Sequence, residues 1–254
     1  MDLSIARKLL WLVSFFFTAA SSAANEVVRL VADEWCPFTC AYTQAPQGIG
    51  VDIARKIFED RGYQVTYHTA TWDEAKRMVS EGEADILIGT VRAETPDLLF
   101  PDYHFSYSQS CFFSPSDSIW SYQGLKSLRP KRVGVISGYS YGAGLDAYMD
   151  KALELGMAKT YASTEQLFAA LKRGDVDVFI GDQKVSEYYG RQFHASLAYR
   201  VTGCQPRRKL FFAVSPVDRQ KGNKLIKILN GNLLIGLRGG GVKAIHQQYG
   251  FPSY

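Results

Sequence analysis

The 254-residue sequence lacks every strong compositional bias. Its Lys and Arg residues are scattered rather than clustered, and the formal net charge is only +4, which argues against nucleic acid as a partner. Apolar residues make up 46%, charged residues 21% and aromatic residues 13%, so the disordered, collagen-like and low-complexity classes are excluded. The length suits one large domain or two lobes of roughly 100–130 residues each.

Long apolar runs are also scarce, and the one that stands out lies at the N-terminus. Arg7 and Lys8 precede an apolar run from Leu9 to Ala20, and the small residues Ser21 to Ala24 follow it. A basic start, a short apolar core and a small-residue end are the parts of a secretory signal peptide, whereas a spanning helix needs roughly 20 apolar residues. We therefore expect residues 1–24 to be cleaved and the product to be exported.

Cysteine is limited to four residues, which in an oxidising compartment favours two disulfides. Cys36 and Cys40 flank a short segment with a proline and suit a small closed loop, which would leave Cys111 and Cys204 to pair over a long separation. The spacing does not fit a structural zinc site, and no His lies near enough in sequence to complete one. We expect neither a metal nor a cofactor.

An internal repeat is the most informative feature that is present. Trp72 to Val91 contains the string GEADILIG, and Thr164 to Gln183 contains GDVDVFIG. Each copy predicts an amphipathic helix, a glycine that ends it, and a short buried strand. Asp85 and Asp177, which come just before the two strands, are expected to serve turns.

The segments before each copy match as well. Val27 to Asp33 predicts a strand, Val51 to Gly62 a helix and Gln64 to Thr69 a second strand. In the later copy, Arg132 to Gly138 predicts a strand, a helix follows near Leu145 to Leu155, and KTYAS is the next strand. Two such β-α-β-α-β passes predict an α/β protein with two lobes, each with a mostly parallel sheet flanked by helices.

The ends of these strands indicate where a ligand would bind. In open α/β sheets, ligands bind beyond the carboxyl ends of the strands. The residues at those ends include tryptophan, hydroxyl groups, carboxylates and Arg92. With two lobes, these ends face one another across a cleft that suits a small polar molecule.

The ordered motifs resemble those of the family 3 extracellular solute-binding proteins, the amino-acid receptors of ABC importers. The motifs are LVADEWCPF, GIGVDIARKI, TWDEAKRMVSEGEADILIG, FPDYHFS, RVGVISGYSYG, GDVDVFIGDQ and the final GLRGGGVKAIHQQYG. Their order covers essentially the whole chain after the signal peptide.

The resemblance implies two lobes joined by two crossing strands. It places the crossings near Ser108 to Phe113 and Gln205 to Phe212, which also brings Cys111 and Cys204 together. The domain boundaries expected are residues 25–110 for the first part of lobe 1, 111–208 for lobe 2, and 209–254 for the C-terminal part of lobe 1.

The family's binding roles carry over to particular positions. Asp182 matches the carboxylate that receives the ligand's amino group, although it could instead cap the following helix. Ser140, with Tyr139 beside it at the strand end, matches the residue that contacts the ligand carboxylate, and Thr90 matches a contact in the first lobe. The aromatic walls expected are Trp35, Phe38 and Trp72.

One position departs from the family pattern. The amino-acid receptors carry an arginine five residues before the Phe of the FSDPY-like segment, where it clamps the ligand's α-carboxylate. Here that position is Thr95, before Phe100. Either Arg92 substitutes with a shifted geometry, or the ligand has no α-carboxylate.

The function that these motifs predict is capture of a small polar solute without turnover. The resemblance implies a membrane permease of an ABC importer as the partner, with hinge closure on the ligand and a monomeric protein. A periplasmic sensor or accessory subunit for a signalling or dehydrogenase partner is the alternative. An enzyme would need an acid/base pair in the cleft, for which Glu34 and Asp182 are the only candidates.

Overall fold

The computed structural model describes residues 26–193 and 198–251. The predicted signal peptide, residues 1–24, lies outside the described residues. Two five-stranded sheets form the framework, and helices flank each of them. This arrangement confirms the predicted two-lobe α/β fold.

The sheet of lobe 1 combines parallel strands from the N-terminal half with a strand from the C-terminal part. Its order is β2 (Gln64–Thr69), β1 (Val27–Ala32), β3 (Ile86–Thr90), β10 (Arg208–Val214) and β4 (Ser106–Ser108). Strands β2 and β3 run parallel to β1, whereas β10 runs antiparallel to both of its neighbours. The helices of this lobe are α1 (Ile49–Glu59), α2 (Trp72–Ser80), α6 (Arg219–Arg238) and α7 (Gly241–Gln248).

Lobe 2 repeats this plan with the middle of the chain. Its sheet has the order β7 (Ala158–Tyr161), β6 (Val133–Ile136), β8 (Val178–Asp182), β5 (Ser110–Pro115) and β9 (Tyr199–Cys204). Its helices are α3 (Ala143–Glu154), α4 (Thr164–Arg173) and α5 (Gln183–Gln192), and Leu125–Leu128 forms a 3-10 turn.

The internal repeat appears as equivalent helix–strand units, α2–β3 in lobe 1 and α4–β8 in lobe 2. A hydroxyl caps each helix, since Thr71 accepts from the backbone N–H of Glu74 and Ser163 from that of Gln166. The turn aspartates are equivalent as well. Asp85 accepts from the backbone and guanidinium of Arg29, and Asp177 binds Arg132 in the same way.

The two lobes are joined where β4 continues into β5 and where β9 continues into β10. Gln109, between the first pair, donates its side-chain amide to the carbonyl of Gln205 at 2.9 Å. Cys111 and Cys204 are partners in the β5–β9 register and form a disulfide, with their Cα atoms 4.0 Å apart. The two crossing strands are therefore fastened to each other just inside lobe 2.

Each lobe has its own apolar core, because helices cover its sheet with their apolar faces, and α7 packs on α1 and α6. Phe58 and Phe212 are fully buried in lobe 1, and Phe112 and Phe179 in lobe 2. Helix α5 contacts both lobes, since Val185 on it packs into the core of lobe 1. The lobes thus pack closely beside the hinge, and the cleft lies between their strand ends.

Candidate functional site

The cleft holds two neighbouring cavities. The narrow one has a volume of about 50 Å³, which is room for a few water molecules. The wider one has a volume of about 710 Å³. Asp33, Trp72 and Tyr139 line both cavities, so the two spaces are parts of one site between the lobes.

Four of the predicted ligand-binding residues lie together on the narrow cavity. They are Trp35, Trp72, Tyr139 and Ser140. Trp35 lies against Gly89 of β3, where a φ of +93° suits glycine and a side chain would be strained. Trp35 and Trp72 belong to lobe 1 and the other two to lobe 2, so residues from both lobes meet here.

The loop that carries Trp35 is closed by hydrogen bonds and a disulfide. The backbone N–H of Trp35 donates to the carbonyl of Thr39 at 2.6 Å, and the N–H of Thr39 donates back at 3.2 Å. Cys36 and Cys40 form the second disulfide across the same turn. The disulfide and these hydrogen bonds therefore hold the Trp35 indole against Gly89 of β3.

Two further predicted residues support the walls from behind. Phe38 is fully buried, with its ring centroid 4.8 Å from that of Trp35. Thr90 is also fully buried, and its hydroxyl lies 3.2 Å from that of Thr95. Neither residue is among those that line the two cavities.

Arg92 points to a different side of the cleft. Its guanidinium donates to the carbonyl of Pro101 at 2.6 Å and stands over the rings of Phe100 and Phe211. It lines a third cavity of about 730 Å³, which shares Glu94, Ser140 and Arg208 with the narrow cavity but contains neither Trp35 nor Tyr139. The structure therefore does not bring Arg92 together with Trp35 and Tyr139.

Asp182 caps helix α5. One carboxylate oxygen accepts from the backbone N–H groups of Lys184 and Val185, and the other accepts from that of Gln109 at 2.8 Å. Burial raises its pKa, and these hydrogen bonds, together with one to Ser108, oppose that rise. Asp182 is not among the cavity-lining residues, so its position matches the helix-capping alternative.

An inter-lobe hydrogen bond joins Tyr139 to Asp33, a residue that sequence reasoning did not select. The Tyr139 hydroxyl donates to Oδ2 of Asp33 at 2.5 Å. Burial raises the pKa of Asp33 to about 6, although the hydrogen bond from Tyr139 lowers it. The position of Asp33 directly after β1 was the only signal in the sequence, and many strand ends carry such a residue.

A second inter-lobe contact comes from Arg208, which sequence reasoning also missed. It pairs with Glu94 of lobe 1 at 3.3 Å and donates to the carbonyl of Ser140 of lobe 2 at 2.8 Å. The Ser140 hydroxyl in turn donates to Asp146 at 2.7 Å. Burial raises the pKa of Glu94, and Arg208 opposes the rise. The cation nearest the centre of the cleft is thus already neutralised.

Carboxylates and aromatic rings dominate the wider cavity. Its lining includes Asp33, Glu34, Trp72, Asp73, Tyr139, Glu165 and Tyr189, and no Lys or Arg.

Among residues 26–193 and 198–251, no group of three His, Cys, Asp or Glu side chains is arranged to hold a metal ion. Nor does any helix within those ranges have the length and apolar character required to cross a bilayer.

Comparisons with known proteins agree with the fold. Residues 27–112 match the family model of bacterial extracellular solute-binding proteins, family 3. A Vibrio harveyi protein, PatH, provisionally named an amino-acid ABC transporter-binding protein, is 28% identical over 211 residues, which are 82% of this chain and 81% of that protein. The arginine-binding periplasmic protein of Mannheimia haemolytica is 22% identical over 178 residues, 68% of this chain and 70% of that protein.

The solved structures with a similar fold include a signalling protein. A histidine kinase sensor domain with similarity to periplasmic binding proteins superposes with a TM-score of 0.74, at 18% identity over 89% of this chain and 96% of that one. At this identity the likeness concerns the fold alone.

Proposed function

We propose that the chain is a family 3 extracellular solute-binding protein, which captures a small polar solute, an amino acid or a related compound, and presents it to an ABC importer. The observation that carries this proposal is the cleft itself, with a cavity of about 710 Å³ whose walls come from both lobes. The function is binding without chemical turnover, which is the property that names the family.

Hinge closure follows from the contacts that cross the cleft. A ligand shifts the open–closed equilibrium only if it makes contacts in the closed form that the open form lacks. In this proposal Trp72 holds the solute from lobe 1 and Tyr139 holds it from lobe 2, while Trp35 and Ser140 line the adjoining narrow cavity. Phe38 and Thr90 keep those walls in place.

Asp182 and Arg92 have secondary roles in this scheme. Asp182 positions α5, which packs on both lobes, and it receives a ligand amino group only if its hydrogen bonds to the backbone rearrange. Arg92 would reach an anionic part of the solute only from the outer side of the cleft. We also propose that residues 1–24 direct export and that the mature protein is a periplasmic monomer.

A thermal-shift screen of the mature chain against amino acids, amines, organic acids and small alcohols tests the capture of a solute. A true ligand at about 100 times its Kd adds about 2.7 kcal/mol of stability, which corresponds to roughly 5–10 °C in Tm for a chain of this size. Small-angle scattering of the same sample checks closure, which reduces the radius of gyration. If no solute of any class changes either quantity, the proposal is wrong.

The partner is tested separately. A family 3 permease reconstituted in vesicles should hydrolyse ATP faster when the loaded protein is added. If the loaded protein instead leaves the permease unchanged and stimulates a membrane histidine kinase, the sensor role replaces the importer role. A variant that binds no solute serves as the control in both assays.

A further inference from the structure

The two central cavities have more negative charge than the positive groups beside them neutralise. Among the carboxylates that line the two cavities, Glu94 pairs with Arg208 and Asp73 pairs with Lys76 at 2.8 Å. Three carboxylates remain, and within residues 26–193 and 198–251 no ion pair reaches them. They are Asp33, Glu34 and Glu165.

These three carboxylates lie on both sides of the cavity. Asp33 and Glu34 follow β1 in lobe 1, whereas Glu165 lies in the first turn of α4 in lobe 2. Like charges that face one another across a closing cleft repel, and the repulsion grows as water leaves. Positive charge between the lobes therefore favours closure.

The positions that would receive a ligand carboxylate hold no available cation. Thr95 stands where the family's clamp would be, and its hydroxyl contacts that of Thr90. Arg208 is engaged by Glu94 and by the carbonyl of Ser140. Arg92 faces Pro101 and the rings of Phe100 and Phe211. An α-carboxylate in the cleft would lie among carboxylates without a partner, which is costly.

The aromatic residues of the cavity suit an organic cation. Trp72, Tyr139 and Tyr189 line it, and the ammonium of Lys76 already stands 5.8 Å from the centre of the Trp72 ring. Aromatic faces attract ammonium and guanidinium groups, and they also cover the methylene groups between two charges.

We propose that the ligand is an organic cation without a carboxylate, with a positive group at each end of a short apolar chain, such as a diamine or a guanidino-amine. One end binds Asp33 and Glu34 of lobe 1, and the other binds Glu165 of lobe 2. Because each end is attached to a different lobe, the ligand makes its full set of contacts only in the closed form. This inference rests on the proposed function of solute capture in the cleft.

Matched ligand pairs test the proposal on the mature chain by titration calorimetry. L-arginine and agmatine, L-ornithine and putrescine, and L-lysine and cadaverine differ only in the α-carboxylate. We expect the carboxylate-free member of at least one pair to bind about tenfold or more tightly than its amino acid. Equal or tighter binding of the amino acids, or binding of neutral solutes only, overturns the inference and leaves the capture of a solute intact. If no solute of any class binds, the proposed function itself fails.

Variants that neutralise single carboxylates test where the two positive ends of the ligand bind. Glu34→Gln and Glu165→Gln each remove one of the three carboxylates, and Glu154→Gln is the matched control, since it lies exposed at the end of α3 and lines neither cavity. We expect the first two variants to weaken binding of the best diamine about fivefold or more, and the control to leave it unchanged.

A comparison of putrescine with a monoamine distinguishes a direct contact between Glu165 and the ligand from a general electrostatic attraction by the cleft. Glu165→Gln should reduce the preference for putrescine over 1-butylamine, because the second ammonium has then lost its partner. If all three variants weaken binding equally, or if the preference stays the same, the assignment of the two ends is overturned.

Discussion

At the residue scale, Asp33 is a carboxylate that the folded chain holds at a cost. Burial raises its pKa to about 6 from an ordinary value of 3.8. That difference corresponds to about 3 kcal/mol, and partial access of solvent reduces it. We therefore predict that Asp33→Asn, which still accepts the Tyr139 hydrogen bond, raises the free energy of unfolding at pH 7 by about 1–2 kcal/mol in urea titrations. The same variant should bind the cationic ligand less tightly.

The effect of this substitution on stability depends on pH. At about pH 3 and below, Asp33 is mostly protonated in the folded and the unfolded chain, so wild type and variant should have similar free energies of unfolding. As the pH rises from 4 to 6, the unfolded chain releases its proton first, and the wild type loses stability relative to the variant. Unfolding curves that differ equally at pH 4 and pH 7 would contradict this account.

At the scale of elements, the two disulfides close loops of very different size. Cys111 and Cys204 are 93 residues apart and join β5 to β9, whereas Cys36 and Cys40 are four residues apart. In the chain-entropy description a longer loop gives more stabilisation. The double variant C111A/C204A should lose about 4–5 kcal/mol in denaturant unfolding, and C36A/C40A about 2 kcal/mol. The reverse order would show that the short loop at Trp35 dominates through its packing.

At the scale of the whole molecule, the closed arrangement depends on the contacts between lobes. Arg208 joins Glu94 of one lobe to the carbonyl of Ser140 of the other. We predict that Arg208→Gln favours the open form, so that the radius of gyration of the free protein rises in small-angle scattering and ligand affinity falls about tenfold.

Arg200→Gln is the control for that measurement. Arg200 also donates to two backbone carbonyls, those of Ser118 and Trp120, but all three residues belong to lobe 2. Its loss should lower the stability of lobe 2 without opening the cleft. Equal radii of gyration for wild type, Arg208→Gln and Arg200→Gln would contradict the role of Arg208 as an inter-lobe tie.

The sequence by itself determined the elements and their division between two lobes. The strings GEADILIG and GDVDVFIG predicted equivalent helix–strand units, because helix ends at glycine and short β-rich apolar runs are local properties of the chain. The structure confirms them as α2–β3 and α4–β8. Trp35 and Tyr139 were placed beside the cleft in the same way, since residues that follow parallel strands gather at one edge of a sheet, whereas Trp72 was placed there by the family resemblance.

Only the tertiary structure decided which polar and charged groups pair with each other. Tyr139 and Asp33 are 106 residues apart, and Arg208 and Glu94 are 114 residues apart, so no local pattern pairs them. Asp182 likewise has its place at the cap of α5 because β5 brings the N–H of Gln109 to it. The surplus of carboxylates in the cleft, on which the choice of ligand depends, is a sum over residues that meet only when the two lobes have folded against each other.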